Sequence, residues 1–271
     1  MLDVAWFLIV FILIQWVVAS AVVFADLVGE GGAGVMSILQ QMTDGHYNID
    51  GNSLLLVSVI SSVLTILLFG WRRWSPFSHS YVRSKPWLSM LWVALLALGT
   101  ILPSEWILEQ MELKMPESTE ALFEDIMGKP VGYLFIGILA PVAEEMVFRG
   151  AILRKLLTMF SQKDHWTPIV ISAVLFGALH MNWPQFVHAA LIGLLLGWLY
   201  YRTGSIVPGI VFHWINNTMA YVMFNLMPQM NDGKLIDFFH GDRTMMSAGL
   251  FFSLCIFLPS LFQLTQRLKR K

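Results

Sequence analysis

The chain has 271 residues, 56% of them hydrophobic and only 13% charged, with a mean hydropathy of +0.65; a soluble domain carries about 25% charged residues. That balance leaves no room for a large soluble domain and points to lipid. The net charge of −1 gives no basic field for nucleic acid, and the single cysteine, Cys255, rules out an intrachain disulfide and reads as a packing residue in an apolar run.

A helix needs roughly 20 mostly apolar residues to cross the hydrocarbon core, and eight runs approach that, at about 4–24, 53–70, 87–103, 131–157, 167–181, 185–201, 205–226 and 246–264. The first lacks a preceding Lys or Arg and is too long for a signal-peptide core, although Ala19-Ser20-Ala21 resembles a cleavage site, so it reads as a retained span. Gly29-Glu30-Gly31-Gly32-Ala33-Gly34 then forms a loop whose spacing does not fit phosphate binding. Between the third and fourth runs, 105–129 mixes Trp106, Leu108, Met111, Leu113, Leu122 and Phe123 with acids, as an amphipathic helix at a membrane interface does, with Pro116 dividing it.

Lipid allows only helices or closed barrels, and no barrel-like alternation is present. The predicted fold is all-α: a polytopic transmembrane helical bundle of about eight helices with an amphipathic interfacial segment, one membrane domain over 1–271. Arg72, Arg73, Arg83 and Lys85, then Arg154, Lys155 and Lys163, then Arg202, then Arg267, Lys269, Arg270 and Lys271 follow the even-numbered runs. The positive-inside rule then makes both termini cytoplasmic. The short loops fit a bacterial plasma membrane.

The fourth run carries Glu144, Glu145 and Arg149, and a charge at mid-bilayer costs roughly 2.5 to 3.5 kcal/mol, so such residues usually face a partner or a cavity. Glu145 and Arg149, at i and i+4, share a face and neutralise each other. Glu144 points about 100° away and is left over, which suits a general base; Pro141 removes one helical hydrogen bond just before it. His180 closes Phe176-Gly-Ala-Leu-His180 in the fifth run, and His213 and Asn217 share a face in the seventh. Counted from the flanking cations, Glu144, His180 and His213 lie roughly 16 to 26 Å deep, compatible with one cavity.

Other polar residues carry less. His188 sits beside Gln185 in the sixth run as a weaker candidate; His46, His79, His165 and His240 fall in loops; Asn216 faces elsewhere than Asn217; Met219, Met223 and Phe224 read as packing or lipid-facing.

Taken in order, Glu-Glu-Met-Val-Phe-Arg-Gly (144–150), Phe-Gly-Ala-Leu-His (176–180) and Gly-Ser-Ile-Val-Pro-Gly-Ile-Val-Phe-His-Trp-Ile-Asn-Asn (204–217) resemble the CPBP (Abi) family, which includes the type II CAAX prenyl endopeptidases and bacteriocin-processing or immunity proteins. The resemblance covers roughly 130–220. It implies an intramembrane endopeptidase acting on a membrane-associated peptide or protein. The position matching Glu144 activates water, that matching His180 holds or shares the proton, and those matching His213 and Asn217 form the oxyanion hole. Glu145 and Arg149 match the supporting positions. No cofactor is required by this reading; one divalent metal such as Zn²⁺ is a candidate on Glu144, His180 and His213, although the His-Glu-x-x-His helix motif is absent. Two other readings compete: a proton- or ion-coupled transporter, since buried acids and imidazoles also relay protons, and a non-catalytic scaffold or immunity factor.

Overall fold

The computed structural model describes residues 2–29, 50–76, 79–227 and 234–268. Most of the glycine-rich loop, from Glu30, lies outside them, as do His46 and the cationic residues 269–271. The described chain is helical throughout. In chain order the helices are α1 (Leu2–Gly29), α2 (Gly51–Trp71), α3 (His79–Arg83), α4 (Trp87–Gln110), α5 (Glu117–Met127), α6 (Pro130–Leu157), α7 (Trp166–Ala178), α8 (Trp183–Thr203), α9 (Val207–Leu226), α10 (Leu235–Phe238) and α11 (Arg243–Arg267).

All eight expected runs are helices. Six of them, α1, α2, α4, α6, α8 and α11, are long and apolar enough to cross a bilayer, which makes this an integral multi-pass protein. The other two fall short for different reasons. α7 has 13 residues, about 20 Å at 1.5 Å each, while α9 is long enough but carries His213, Asn216, Asn217, Thr218 and Asn225 in 20 residues.

Three expectations are corrected. The segment 105–129 divides at Pro116 as expected, with α5 starting after it, but its first residues, to Gln110, continue α4 rather than form a separate interfacial helix. Pro103, taken as the end of a span, sits inside α4. A proline cannot donate to the carbonyl four residues back, here Gly99, and Ser253 Oγ of α11 donates to that oxygen at 3.2 Å. Cys255 is exposed on the bundle surface rather than packed.

Small residues set the helix contacts, as expected where lipid offers no hydrophobic drive between helices. Gly193 and Gly197 bring α8 against Ala173 and Ile169 of α7, and Gly99 brings α4 against the backbone of Phe257. At one end of the bundle cations tie element ends together. Lys155 pairs with Asp3 at 2.6 Å, Arg154 donates to Trp74 O at 2.8 Å, and Arg202 donates to Thr265 O at 2.7 Å and to Leu268 O. The start of α1 and the ends of α2, α6, α8 and α11 therefore share a face. α6 runs through the densest part of the core, with Met146, Phe148, Ile152 and Leu153 fully buried.

Candidate active site

α6 is not a uniform helix. Leu134–Leu139 and Met146–Leu153 are wound as π-helix, with an α-turn, Ala140–Glu145, between them. Such π-segments insert extra backbone per turn and gather at functional sites. The cause here is legible. The N–H of Ala140 reaches back five residues to Phe135 O, and the next nitrogen in that register, Pro141, has no hydrogen to offer Ile136. Asn217 Nδ2 of α9 donates to Ile136 O instead, at 2.9 Å.

Asn217 belongs to a polar stripe on α9 that docks the start of α6. Trp214 Nε1 donates to Tyr133 Oη and Thr218 Oγ1 bonds the same hydroxyl, both at 3.1 Å. Tyr221 Oη donates to Lys129 O at 3.1 Å, and Asn225 Nδ2 donates to Met127 O at 3.0 Å. The spacing of 214, 217/218, 221 and 225 is one helical face. Bonds of this kind hold helices together where water cannot compete, and they account for the low apolarity of α9.

The two neighbouring glutamates face different surroundings. Glu145 is sealed: its Oε1 accepts from Arg149 Nη1 at 2.7 Å with both side chains essentially unexposed. The guanidinium also donates to Gly193 O at 3.2 Å and lies 4.5 Å over the Phe176 ring. A buried ion pair is tolerated only with such further partners. The other oxygen, Oε2, packs against Gly209 in the first turn of α9, a space any larger residue would fill; the positive end of a helix dipole favours a carboxylate there.

Glu144 instead lines a cavity of about 110 Å³ together with Phe11, Gln15, Phe148, Phe176, Leu179 and His180. His213 is wedged between the two acids, Nε2 at 3.6 Å from Glu144 Oε2 and Nδ1 at 3.6 Å from Glu145 Oε1. Those separations are close contact rather than formed hydrogen bonds. His180 Nδ1 lies 3.2 Å from Phe176 O; a carbonyl only accepts, so this nitrogen carries the hydrogen and Nε2 is left as the acceptor. Both imidazoles stand edge-on to Phe176, with centroids 5.4 and 5.7 Å away.

The structure thus brings Glu144, Glu145, Arg149, His180 and His213 around one aromatic ring, with Asn217 one turn beyond His213 and engaged with the backbone of α6. Among the described residues no three His, Cys, Asp or Glu side chains form a group that could hold a metal ion. In this arrangement the trio Glu144, His180 and His213 is not such a group.

Two contributors escaped the sequence reading. Gln15 of α1 lines the cavity, and its signal was a lone carboxamide inside an otherwise apolar stretch. Phe176 was one letter of a motif, yet its ring meets a guanidinium and two imidazoles. His188 stays outside the Glu144 cavity. With Asn216, whose Nδ2 is 3.4 Å from His188 Nε2, it lines a second cavity of about 230 Å³, along with Glu105, Met223 and Phe224. Elsewhere His165 stacks on Tyr201 at 4.2 Å, and His240 occupies a turn with positive φ; the His79 side chain lies outside the described residues.

The stretch that builds this site is the stretch that has relatives. Residues 127–219 match the model of the type II CAAX prenyl endopeptidase Rce1-like family. Over that stretch the chain is similar to the CAAX-protease-like (CPBP) family. A second comparison agrees with that family: YdiL of Bacillus subtilis (strain 168), provisionally named a membrane peptidase, is 28% identical over 107 residues. That match covers 40% of this chain and 43% of the relative's length. No solved structure matches the chain. Helices α1, α2, α4 and α11 thus fall outside the matched family core, although α1 supplies part of the cavity wall.

Proposed function

We propose that the protein is an intramembrane endopeptidase in which Glu144 activates water against a peptide bond of a membrane-associated substrate. The observation that carries this is the contrast within one turn of α6: Glu145 has its counter-ion, whereas Glu144 faces a cavity beside two imidazoles. The carboxylate of Glu144 takes a proton from a water molecule in the cavity, and the resulting hydroxide adds to the substrate carbonyl carbon. The developing oxyanion is met by a ring N–H of His213. Return of the proton from Glu144 to the departing amine breaks the C–N bond and restores the carboxylate. His180, with Nε2 as acceptor, steadies the water or shares its proton. Glu145 and Arg149 hold His213 and the Phe176 platform in place.

A protein of this kind places its cationic end, where Lys155, Arg154 and Arg202 gather, in the cytoplasm, so substrates would be met from that side. The name of the matched family points to prenylated substrates, whereas that of the Bacillus relative names a membrane peptidase and no substrate; the substrate proposed is a membrane-associated peptide. The test is cleavage of a peptide library by the purified protein, with Glu144→Gln beside it and metal content measured in the same preparations. Turnover by Glu144→Gln equal to that of the unaltered protein would remove Glu144 from the mechanism. Substrate uptake into proteoliposomes with no cleavage would replace the hydrolase with a transporter.

A further inference from the structure

We infer that Asn217 is a positioning residue: its carboxamide replaces the hydrogen bond that Pro141 denies to Ile136, and in doing so fixes the π-wound segment that sets Glu144 against its cavity. This deepens the reading above, on which it rests for its catalytic part alone.

Three observations combine. The π-register brought in by Ala140 N–H to Phe135 O leaves Ile136 O facing a nitrogen without hydrogen. Inside a bilayer an unsatisfied carbonyl is costly, so the π-register persists only if something outside the helix donates. Asn217 Nδ2 does so at 2.9 Å, and its own Oδ1 accepts from Asn216 Nδ2 at 3.4 Å, which orients the amide plane. Ile136 lies eight residues before Glu144, and a change of register there rotates and shifts everything that follows. Relaxing one π-turn to α alters rotation by most of a residue, enough to turn Glu144 away from His213.

The molecule contains its own control. Ser253 serves Gly99 O across Pro103 in the same manner, but in a helix that stays α and carries no member of the site.

The experiment is a double-mutant cycle on the full chain in detergent, with Asn217→Ala, Pro141→Ala and both together, read by kcat, KM and thermal unfolding. Alanine at position 141 restores the missing N–H. Asn217→Ala is expected to lower kcat at least about tenfold with KM little changed, and about twofold or less when Pro141→Ala is already present; the unfolding midpoint shows the same coupling. Equal loss of kcat in both backgrounds overturns the inference and makes Asn217 a direct contact of the oxyanion. Additive shifts of the midpoint overturn it as well. Where Pro141→Ala does not fold, hydrogen exchange over 134–140 in Asn217→Ala decides: faster exchange supports the pairing and unchanged exchange overturns it. The unfolding and exchange readouts need no substrate. If no peptide is cleaved by the unaltered protein, the hydrolase reading fails while the pairing is still decided.

Discussion

Pro103 and Pro141 make the same covalent defect in two membrane helices, and both are repaired by a side chain from a neighbouring helix. At Pro103 the helix stays α, the partner is a serine, and the seam between α4 and α11 is simply closed. At Pro141 the backbone opens into π-helix, the partner is an asparagine, and the repair sits below two glutamates. One break maintains a frame and the other mounts chemistry. Changes on the α6 side should therefore be able to move turnover, whereas changes on the α4 side should move stability alone.

The largest effect expected is that of Glu144→Gln, which keeps shape and removes the base: turnover falls about 100- to 10,000-fold with the unfolding midpoint unchanged. A parallel loss of stability would mean that the cavity face is not separable from the frame. Next is Arg149→Met, which leaves Glu145 buried without its counter-ion. A broken buried pair costs about 3 to 5 kcal/mol, seen as a lowered unfolding midpoint or failure to accumulate folded protein. Gly209→Ala is milder. Its methyl group would meet the Glu145 carboxylate, and overpacking of that kind costs about 1 to 3 kcal/mol, with turnover falling as Glu145 presses on His213. The smallest is Ser253→Ala, worth about 1 kcal/mol, with kcat unaltered. A drop in kcat there would erase the distinction between the two prolines.

The spans were legible because length and apolarity are one-dimensional properties, and all eight runs became helices. So was the Glu145–Arg149 pair, since i and i+4 on a helix dictate contact. What could not be read was anything that depends on who stands beside whom. Gln15 reaches the site because α1 packs against α6, which no hydropathy pattern encodes. Pro103 looked like a terminus because the donor that rescues it, Ser253, lies 150 residues away. Asn217 was read as sharing a target with His213, since both lie on one face. Its bond to Ile136 O depends on the π-register of α6, which is invisible without backbone geometry.

The brevity of α7 has a consequence for the surrounding lipid. A hydrocarbon layer is about 30 Å deep, and α7, at about 20 Å, ends at a turn where Asn182 donates to His180 O at 2.8 Å. Acyl chains beside so short a wall must compress or splay, leaving a dimple in the leaflet there. A leaflet thinned there would bring headgroups, and the water they carry, nearer to His180, which lies just past the end of α7, than a flat membrane does.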